Sequence, residues 1–261
     1  MILDKIAQAT KVRIENDKKQ MPLEIIKQIA EKLDKNMDFP FEAALKNGNI
    51  NFICEVKKAS PSKGIIAEDF PYVEIARDYE TAGASCISVL TEPDFFKGRD
   101  EYLTEIKKNV EIPVLRKDFI LEPYQIHQAK VIGADCILLI CSLLKEEAIR
   151  EYILLCDTLG ISALVEAHDE DEVKSAVNAG ARMIGVNNRN LKTFEVDIHN
   201  SEQLRKLVPE HILFVAESGI KTTEDMNTLR KAKVNAVLIG ETLMRSPDKK
   251  KVLNELRGNY G

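Results

Sequence analysis

A short pattern recurs four times along this chain: AGASCISVL from residue 82, IGADCILLI from 132, AGARMIGV from 179 and AKVNAVLIG from 232. Each copy leads from a helix end into a strand. Glycine ends the helix, a small residue follows, and a run of apolar and β-branched side chains begins. The copies lie about fifty residues apart, which is two βα units of typical length. They therefore account for alternate strands in a set of eight.

The intervening sequence supplies the other four. Short apolar runs predict strands at 52–56, 86–90, 114–116, 136–140, 163–165, 183–186, 213–216 and 236–239. Amphipathic stretches predict helices at 72–81, 100–108, 123–131, 145–159, 169–179, 201–207, 222–231 and 248–256. Strands separated by helices pair in parallel, because a parallel connection needs a long crossover. Eight such units in about 260 residues are the size of a (β/α)8 TIM barrel. The rival, a doubly wound open sheet, lacks its GxGxxG fingerprint after the first strand.

Residues 1–48 precede the first strand. Leu3, Ile6, Ala7 and Thr10, then Leu23, Ile26, Ile29, Ala30 and Leu33, fall on helical faces. They predict an N-terminal helical extension packed on the barrel and covering part of one end. No Gly/Ser-rich linker separates it, so 1–261 is read as a single domain, extension 1–48 and barrel 49–261.

A net charge of −5 argues against a nucleic-acid-binding surface, and Lys249, Lys250 and Lys251 are read as a solvated helix face. The N-terminus has charges every few residues, unlike a signal peptide, and the longest apolar run (136–141) is too short to span a bilayer. Five cysteines without a CxxC suit a reducing cytoplasm. Cys54, Cys86 and Cys136 are read as small buried hydrophobes. The four histidines show no metal-ligand spacing, so no metal is expected.

Barrels of this kind work at the carboxyl ends of their strands, and odd polar residues gather there. Strand one ends in Glu55-Val56-Lys57, with both charges on one face by the period of two. Lys117 shares the face of Leu115, Glu166 that of Leu164, and Asn187 that of Gly185, with Arg189 just beyond. A single strand-end charge is commonly a rim salt bridge. Six such groups converging on one mouth must compensate one another and perturb one another's ionisation, as catalysis requires. At the last two strand ends, Ser218-Gly219 and Gly240-Glu241 put small residues ahead of helices, where backbone N–H groups can meet an anion such as phosphate.

With these residues assembled, the chain resembles the indole-3-glycerol phosphate synthase family over essentially its whole length. The motifs that carry the resemblance are CEVKKASPSKG, LRKDFILEPYQI, GADCILLI, LVEAHDEDE, GVNNRNLKTFEVD, AESGI and GETLMR, above all the NNRNL and KxxSPSKG segments. The resemblance implies ring closure of 1-(2-carboxyphenylamino)-1-deoxyribulose 5-phosphate with loss of CO2 and water, in tryptophan biosynthesis, and no cofactor. It implies Lys117 as the general acid on the substrate carbonyl and Glu166 as base or charge stabiliser around dehydration. Lys57 would contact substrate anions, with an acid role in a later step also proposed. Glu55 and Asn187 would position, and Ser218 would stand at the phosphate end with Gly219, Gly240 and Glu241. Phe119, Leu138 and Leu191 would face the aryl ring, Arg189 the anionic groups, and Ser60 the substrate from a mobile loop, 60–64.

Two positions depart from the family pattern. Glu241 stands where some members have serine, so its carboxylate is expected to point away while its N–H contributes. Arg99 stands where many have a small residue, in a loop after strand two that is not expected to be central to the chemistry. A Schiff-base aldolase or sugar-phosphate isomerase on the same barrel, and a catalytically dead barrel kept as a partner subunit, remain as alternatives. The expected partner is the small sugar-phosphate anthranilate substrate, with no nucleic acid and no membrane, and the chain acting as a monomer or weak homodimer. No further domain is expected after the eighth helix.

Overall fold

The computed structural model describes residues 2–190 and 193–258. Among them, eight parallel strands close into a barrel: β1 (Asn51–Val56), β2 (Cys86–Leu90), β3 (Val114–Lys117), β4 (Cys136–Ile140), β5 (Ser162–Ala167), β6 (Met183–Asn187), β7 (Leu213–Glu217) and β8 (Ala236–Ile239). Each strand pairs with its neighbours in the chain, and β8 closes on β1, with Asn51 opposite Ala236 and Cys54 opposite Ile239. This is the TIM barrel that the alternation predicts.

The strands run past the apolar runs into the polar residues. Lys117 is in register with Leu90, Glu166 with Ile140, and Glu217 with Asn187. Strand length is decided by the backbone ladder, which is indifferent to side-chain polarity. The charged groups thus sit on the hydrogen-bonded sheet itself.

Period-two alternation sorts the strand residues into two cores. Ile53, Leu115, Leu138, Leu164, Val215 and Leu238 fill the barrel, whereas Cys54, Val56, Val89, Val165 and Val186 pack beneath the helices. Fully burying such an aliphatic side chain is worth about 1.5–3 kcal/mol. A one-residue slip would drive Glu55, Lys117 and Glu166 into the helix layer, so register and site geometry are fixed together. Cys54, Cys86 and Cys136 are buried as expected.

The extension is α1 (Ile2–Gln20), α2 (Leu23–Lys32) and α3 (Pro40–Ala44), and it reaches both ends of the barrel rather than one. Near the carboxyl ends of the strands, Ile2, Leu3 and Ile6 of α1 line the mouth. At the opposite end Phe41 and Leu45 plug the interior beside Ile53 and Cys86. A five-residue helix carries too little periodicity to announce itself, so α3 is absent from the sequence reading. The barrel helices are α4 (Tyr72–Thr81), α5 (Asp100–Lys107), α6 (Pro123–Val131), α7 (Glu146–Leu159), α8 (Glu170–Asn178), α9 (His199–Leu204), α10 (Thr223–Lys231), α11 (Glu241–Met244) and α12 (Lys249–Arg257).

In three repeats the helix ends on a left-handed glycine, Gly83, Gly133 or Gly180; in the fourth Lys233 holds that conformation at φ 58°. The backbone turn therefore outlives the residue that favours it. The segment after β1, read as a loop with a turn at Gly64, is framed by a small antiparallel hairpin in which Ala59 faces Ile65 and Ser60 faces Gly64.

Candidate active site

The carboxyl ends of the strands open into a cavity of about 800 Å³. Every sequence-predicted site residue that lies among the described residues lines it: Glu55, Lys57, Ser60, Lys117, Phe119, Leu138, Glu166, Asn187, Arg189, Ser218, Gly219, Gly240 and Glu241. Leu191 lies outside the described residues.

Lys117 is the centre of the arrangement. Its Nζ donates to Glu166 Oε2 at 2.9 Å and to Glu217 Oε2 at 2.6 Å. Burial alone would strip the proton from this ammonium. Glu166, Glu217 and Glu55 outweigh burial and hold its proton affinity well above that of an ordinary lysine. The two carboxylates diverge in response. Burial favours the neutral form of both, yet Lys117 and His168 keep Glu166 charged well below the usual carboxylate range. Glu217 is pushed upward by burial and by the negative charge of Glu166, with Lys117 opposing. Two acids whose environments drive them apart are the arrangement acid–base chemistry needs.

Glu217 is missing from the sequence-derived site. It was legible: it follows Val215 by two residues, and Val215 faces the barrel interior. Inside AESG, the small residues that follow it carried the whole signal. Its Oε1 is buried without a hydrogen bond and occupies the space a side chain on Gly185 would fill.

On the opposite wall Lys57 forms an ion pair with Glu55. Gly240 is small for their sake: a Cβ there would collide with Glu55 Oε1 and stand 3.0 Å from Lys57 Nζ. This is a second requirement beyond the close approach of an anion. Asn187 lies 3.4 Å from Glu166 Oε1 through its Nδ2, while its Oδ1 accepts from the Arg189 N–H at 3.0 Å. The Arg189 side chain reaches the Phe194 carbonyl at 3.3 Å.

At the seventh strand end Ser218 and Gly219 are both left-handed, at φ 67° and 83°. A non-glycine residue there carries strain of order 1 kcal/mol or more and persists only when its surroundings enforce it. Asn188 does so, donating to the Ser218 carbonyl at 3.1 Å and accepting from the Ser201 N–H and hydroxyl at 3.0 and 2.8 Å. The backbone N–H groups of such a tight turn can converge on an anion. Glu241 turns its carboxylate to Arg245 Nε at 3.1 Å, with Lys63 Nζ at 3.9 Å, although it still lines the cavity.

The apolar wall is Phe119 and Leu138, joined by Phe96, whose ring centroid lies 6.0 Å from that of Phe119. Phe96 belongs to the loop before Arg99, so this loop, not expected to be central to the chemistry, contributes an apolar side chain to the cavity wall. Glu92, almost fully buried, pins the loop by accepting from the N–H groups of Asp94, Phe95 and Phe96 at 3.0, 2.8 and 3.0 Å. Gly98 then passes against the Leu90 carbonyl, where no side chain fits.

Beneath Lys117 and Phe119 lies a buried polar knot. Asp118 accepts from Arg13 of α1 at 2.7 Å, from the Thr91 hydroxyl at 2.7 Å and from Arg116 at 3.3 Å, and fixes the Phe119 N–H at 2.8 Å.

The family model for indole-3-glycerol phosphate synthase matches residues 3–256. An indole-3-glycerol phosphate synthase of Ruminiclostridium cellulolyticum is 61% identical over 99% of this chain and 100% of its own. Another, from Endomicrobium trichonymphae, is 56% identical over 98% of this chain and all of its own. Among solved structures, a 3-hexulose-6-phosphate synthase superposes with a TM-score of 0.63 at 15% identity, covering 81% of this chain and 100% of that one, and shows the fold alone. Matched across 3–256 by the family model and end to end by close relatives, the chain belongs to the indole-3-glycerol phosphate synthase family.

Proposed function

We propose that the residues of the barrel mouth divide the synthase reaction among them, with Lys117 as the acid that starts it. The substrate, 1-(2-carboxyphenylamino)-1-deoxyribulose 5-phosphate, carries an aryl ring, a carboxylate, a ketone and a phosphate. The ring packs on Phe119, Leu138 and Phe96. The phosphate sits at Ser218, Gly219, Gly240 and the backbone of Glu241, and Lys57 and Arg189 meet the anionic groups.

Ring closure joins the carboxylate-bearing aryl carbon to the ketone carbon. The carbonyl oxygen takes up negative charge as the ring loses aromaticity. Lys117 delivers its proton there; a developing alkoxide is the stronger base, so the lysine's high proton affinity does not block transfer. Donors fixed in advance at a developing charge are the largest ordinary source of rate. Loss of CO2 then restores aromaticity, with the released electron pair returning to the ring. In the last step the former carbonyl oxygen leaves as water while Glu166 removes a proton from the neighbouring carbon, completing the indole. Lys57 supplies the proton to the leaving hydroxyl, and Glu55 and Asn187 hold Lys57 and Glu166 in place. The reaction runs in the cytoplasm on a monomer or weak homodimer.

The observation that carries this reading is the buried Lys117 ammonium bridging Glu166 and Glu217 at the base of the mouth. The purified chain, given the carboxyphenylamino substrate alone, is expected to develop indole fluorescence. Folded protein that produces no signal from authentic substrate sinks the reading.

A further inference from the structure

His168 stands just past β5, and the reaction as set out gives it no task. Its side chain is 16% exposed. The first turn of α8 fixes it twice: its backbone N–H donates to Glu172 Oε2 at 2.8 Å, and ring Nδ1 lies 2.9 Å from the same oxygen. The Glu172 backbone is fixed in turn, since its N–H donates to the helix-capping Asp169 at 2.9 Å. Held by that edge, the ring turns Nε2 toward Glu166, 3.3 Å from its Oε1. Nε2 is buried and makes no aligned hydrogen bond, so it meets Glu166 as an ion-pair contact.

The groups facing this pair are few. From α8 come Glu172 and Asp169. From the turn after β4, the Cys141 thiol donates to the Glu172 carbonyl at 3.5 Å. From α9, Asn200 reaches the His168 carbonyl at 3.3 Å. On the mouth side Glu166 faces Lys117 and Asn187, with Glu217 behind Lys117. Burial disfavours charge on the ring, but Glu166 and Glu172 outweigh it and raise its proton affinity to about 10. The imidazolium is thus a cation between two carboxylates, one catalytic and one without a part in the chemistry.

We propose that His168, braced by Glu172, is a positioning residue that holds Glu166 Oε1 in place and charged, leaving the carboxylate aimed at the proton it removes. This rests on the assignment of Glu166 as the base of the dehydration step. Once Lys117 has given its proton to the substrate carbonyl it is a neutral amine and no longer an ion-pair partner of Glu166. During that interval His168 is, among the described residues, the remaining cation in contact with Glu166, and Asn187 supplies only a long, neutral contact.

The test is a double-mutant cycle of H168A, E172Q and the pair, with H168Q and E166Q alongside, read as kcat, KM and kcat against pH after thermal unfolding confirms a folded chain. Misaligning a reacting group can lower turnover by up to about a hundredfold. H168A is expected to lower kcat about tenfold or more with KM within about threefold, and to move the acid limb of the kcat profile to higher pH. E172Q is expected to give a weaker form of the same change, and the pair to be no worse than H168A alone. H168Q, an uncharged donor, is expected to recover part of kcat but leave the acid limb displaced; it also keeps the test standing should H168A fail to fold. An H168A kcat within twofold of the parent, a loss confined to KM, or strictly additive effects overturns the inference. E166Q separates the two levels. If E166Q is inactive and H168A is normal, only the positioning role falls; if E166Q keeps its kcat, the base assignment falls and takes the inference with it.

Discussion

Lys117 Nζ lies closer to Glu217 Oε2, at 2.6 Å, than to Glu166 Oε2, at 2.9 Å. The nearer carboxylate is also the one with an unsatisfied, buried second oxygen. Its carboxyl is pushed from the ordinary 4.5 up to about 7, by burial first and then by the charge of Glu166, against the pull of Lys117. Glu217 thus binds a proton more readily than an ordinary carboxylate and, in contact with Lys117 Nζ, is placed to return a proton to it after the first step.

Glu217→Gln is expected to lower kcat about ten- to a hundredfold, the lower range for a group that handles a proton in turnover. Stability gives an independent check. A carboxyl whose folded value is raised contributes stability that is fully present below the unfolded value and lost as pH rises through the folded one. The parent's advantage over Glu217→Gln in urea unfolding should therefore decline between about pH 4.5 and 7 and then level off. A constant difference across that window means that Glu217 titrates as an exposed carboxylate and has no such role.

Gly240→Ala tests the second requirement on that glycine. The backbone at Gly240 does not need glycine for its conformation, since its φ is −117°. The added methyl instead displaces the Glu55 carboxylate and crowds Lys57 Nζ. The expected result is a fall in kcat/KM of about a hundredfold, the scale of a misplaced binding group, with cooperative thermal unfolding kept. A smaller loss, under about threefold, means that the Glu55–Lys57 pair relaxes freely and does not depend on the space.

What the sequence made legible follows from which signals are periodic. Glu55, Lys117 and Glu166 stand out because each breaks an apolar alternation that is otherwise regular, and parity alone assigns their face. Glu217 obeys the same parity but is followed by Ser-Gly, and the small residues drew the inference toward backbone and anions. Phe96 was hidden for a different reason. It sits in a loop whose shape is set by Glu92 accepting three N–H groups and by Gly98 against a carbonyl, and neither bond leaves a periodic trace. His168 was visible only as a histidine without metal spacing, because the partner that gives it meaning, Glu166, is two residues back on a strand and the one that braces it, Glu172, is four ahead on a helix.

Arg13→Ala tests how the N-terminal helix supports the chemistry. Asp118 is buried next to Lys117, and burial favours its neutral form, but Arg13 and Arg116 hold it charged below the ordinary 3.8. Such a group contributes stability above its unfolded value, and that contribution is lost as pH falls through its folded value. Without Arg13 the folded value rises, so acid unfolding should begin at higher pH than in the parent. Removing one partner from a buried charge costs about 3–5 kcal/mol when nothing compensates. Arg116, Thr91 and the Phe119 N–H remain, so a loss of about 1–3 kcal/mol at neutral pH is expected in urea unfolding. An unchanged acid midpoint means that Arg116 alone holds Asp118.

Glu241→Ser tests the acidic residue at the anion end. A carboxylate beside a phosphate opposes it, but this one is engaged by Arg245 at 3.1 Å and faces Lys63 at 3.9 Å, and it is about one third exposed. Both effects weaken the repulsion: an exposed pair interacts through a high dielectric, and two cations offset the negative charge. The substitution also frees Lys63 and Arg245 to turn toward a bound anion. Inhibition by inorganic phosphate should therefore strengthen only about three- to fivefold, with KM for substrate falling in parallel and kcat nearly unchanged. The gain should shrink as ionic strength rises, because the charges involved are reachable by salt. Weaker phosphate binding would instead mean that Glu241 holds Arg245 and Lys63 where the anion needs them, so that its pairing and not its charge decides the subsite.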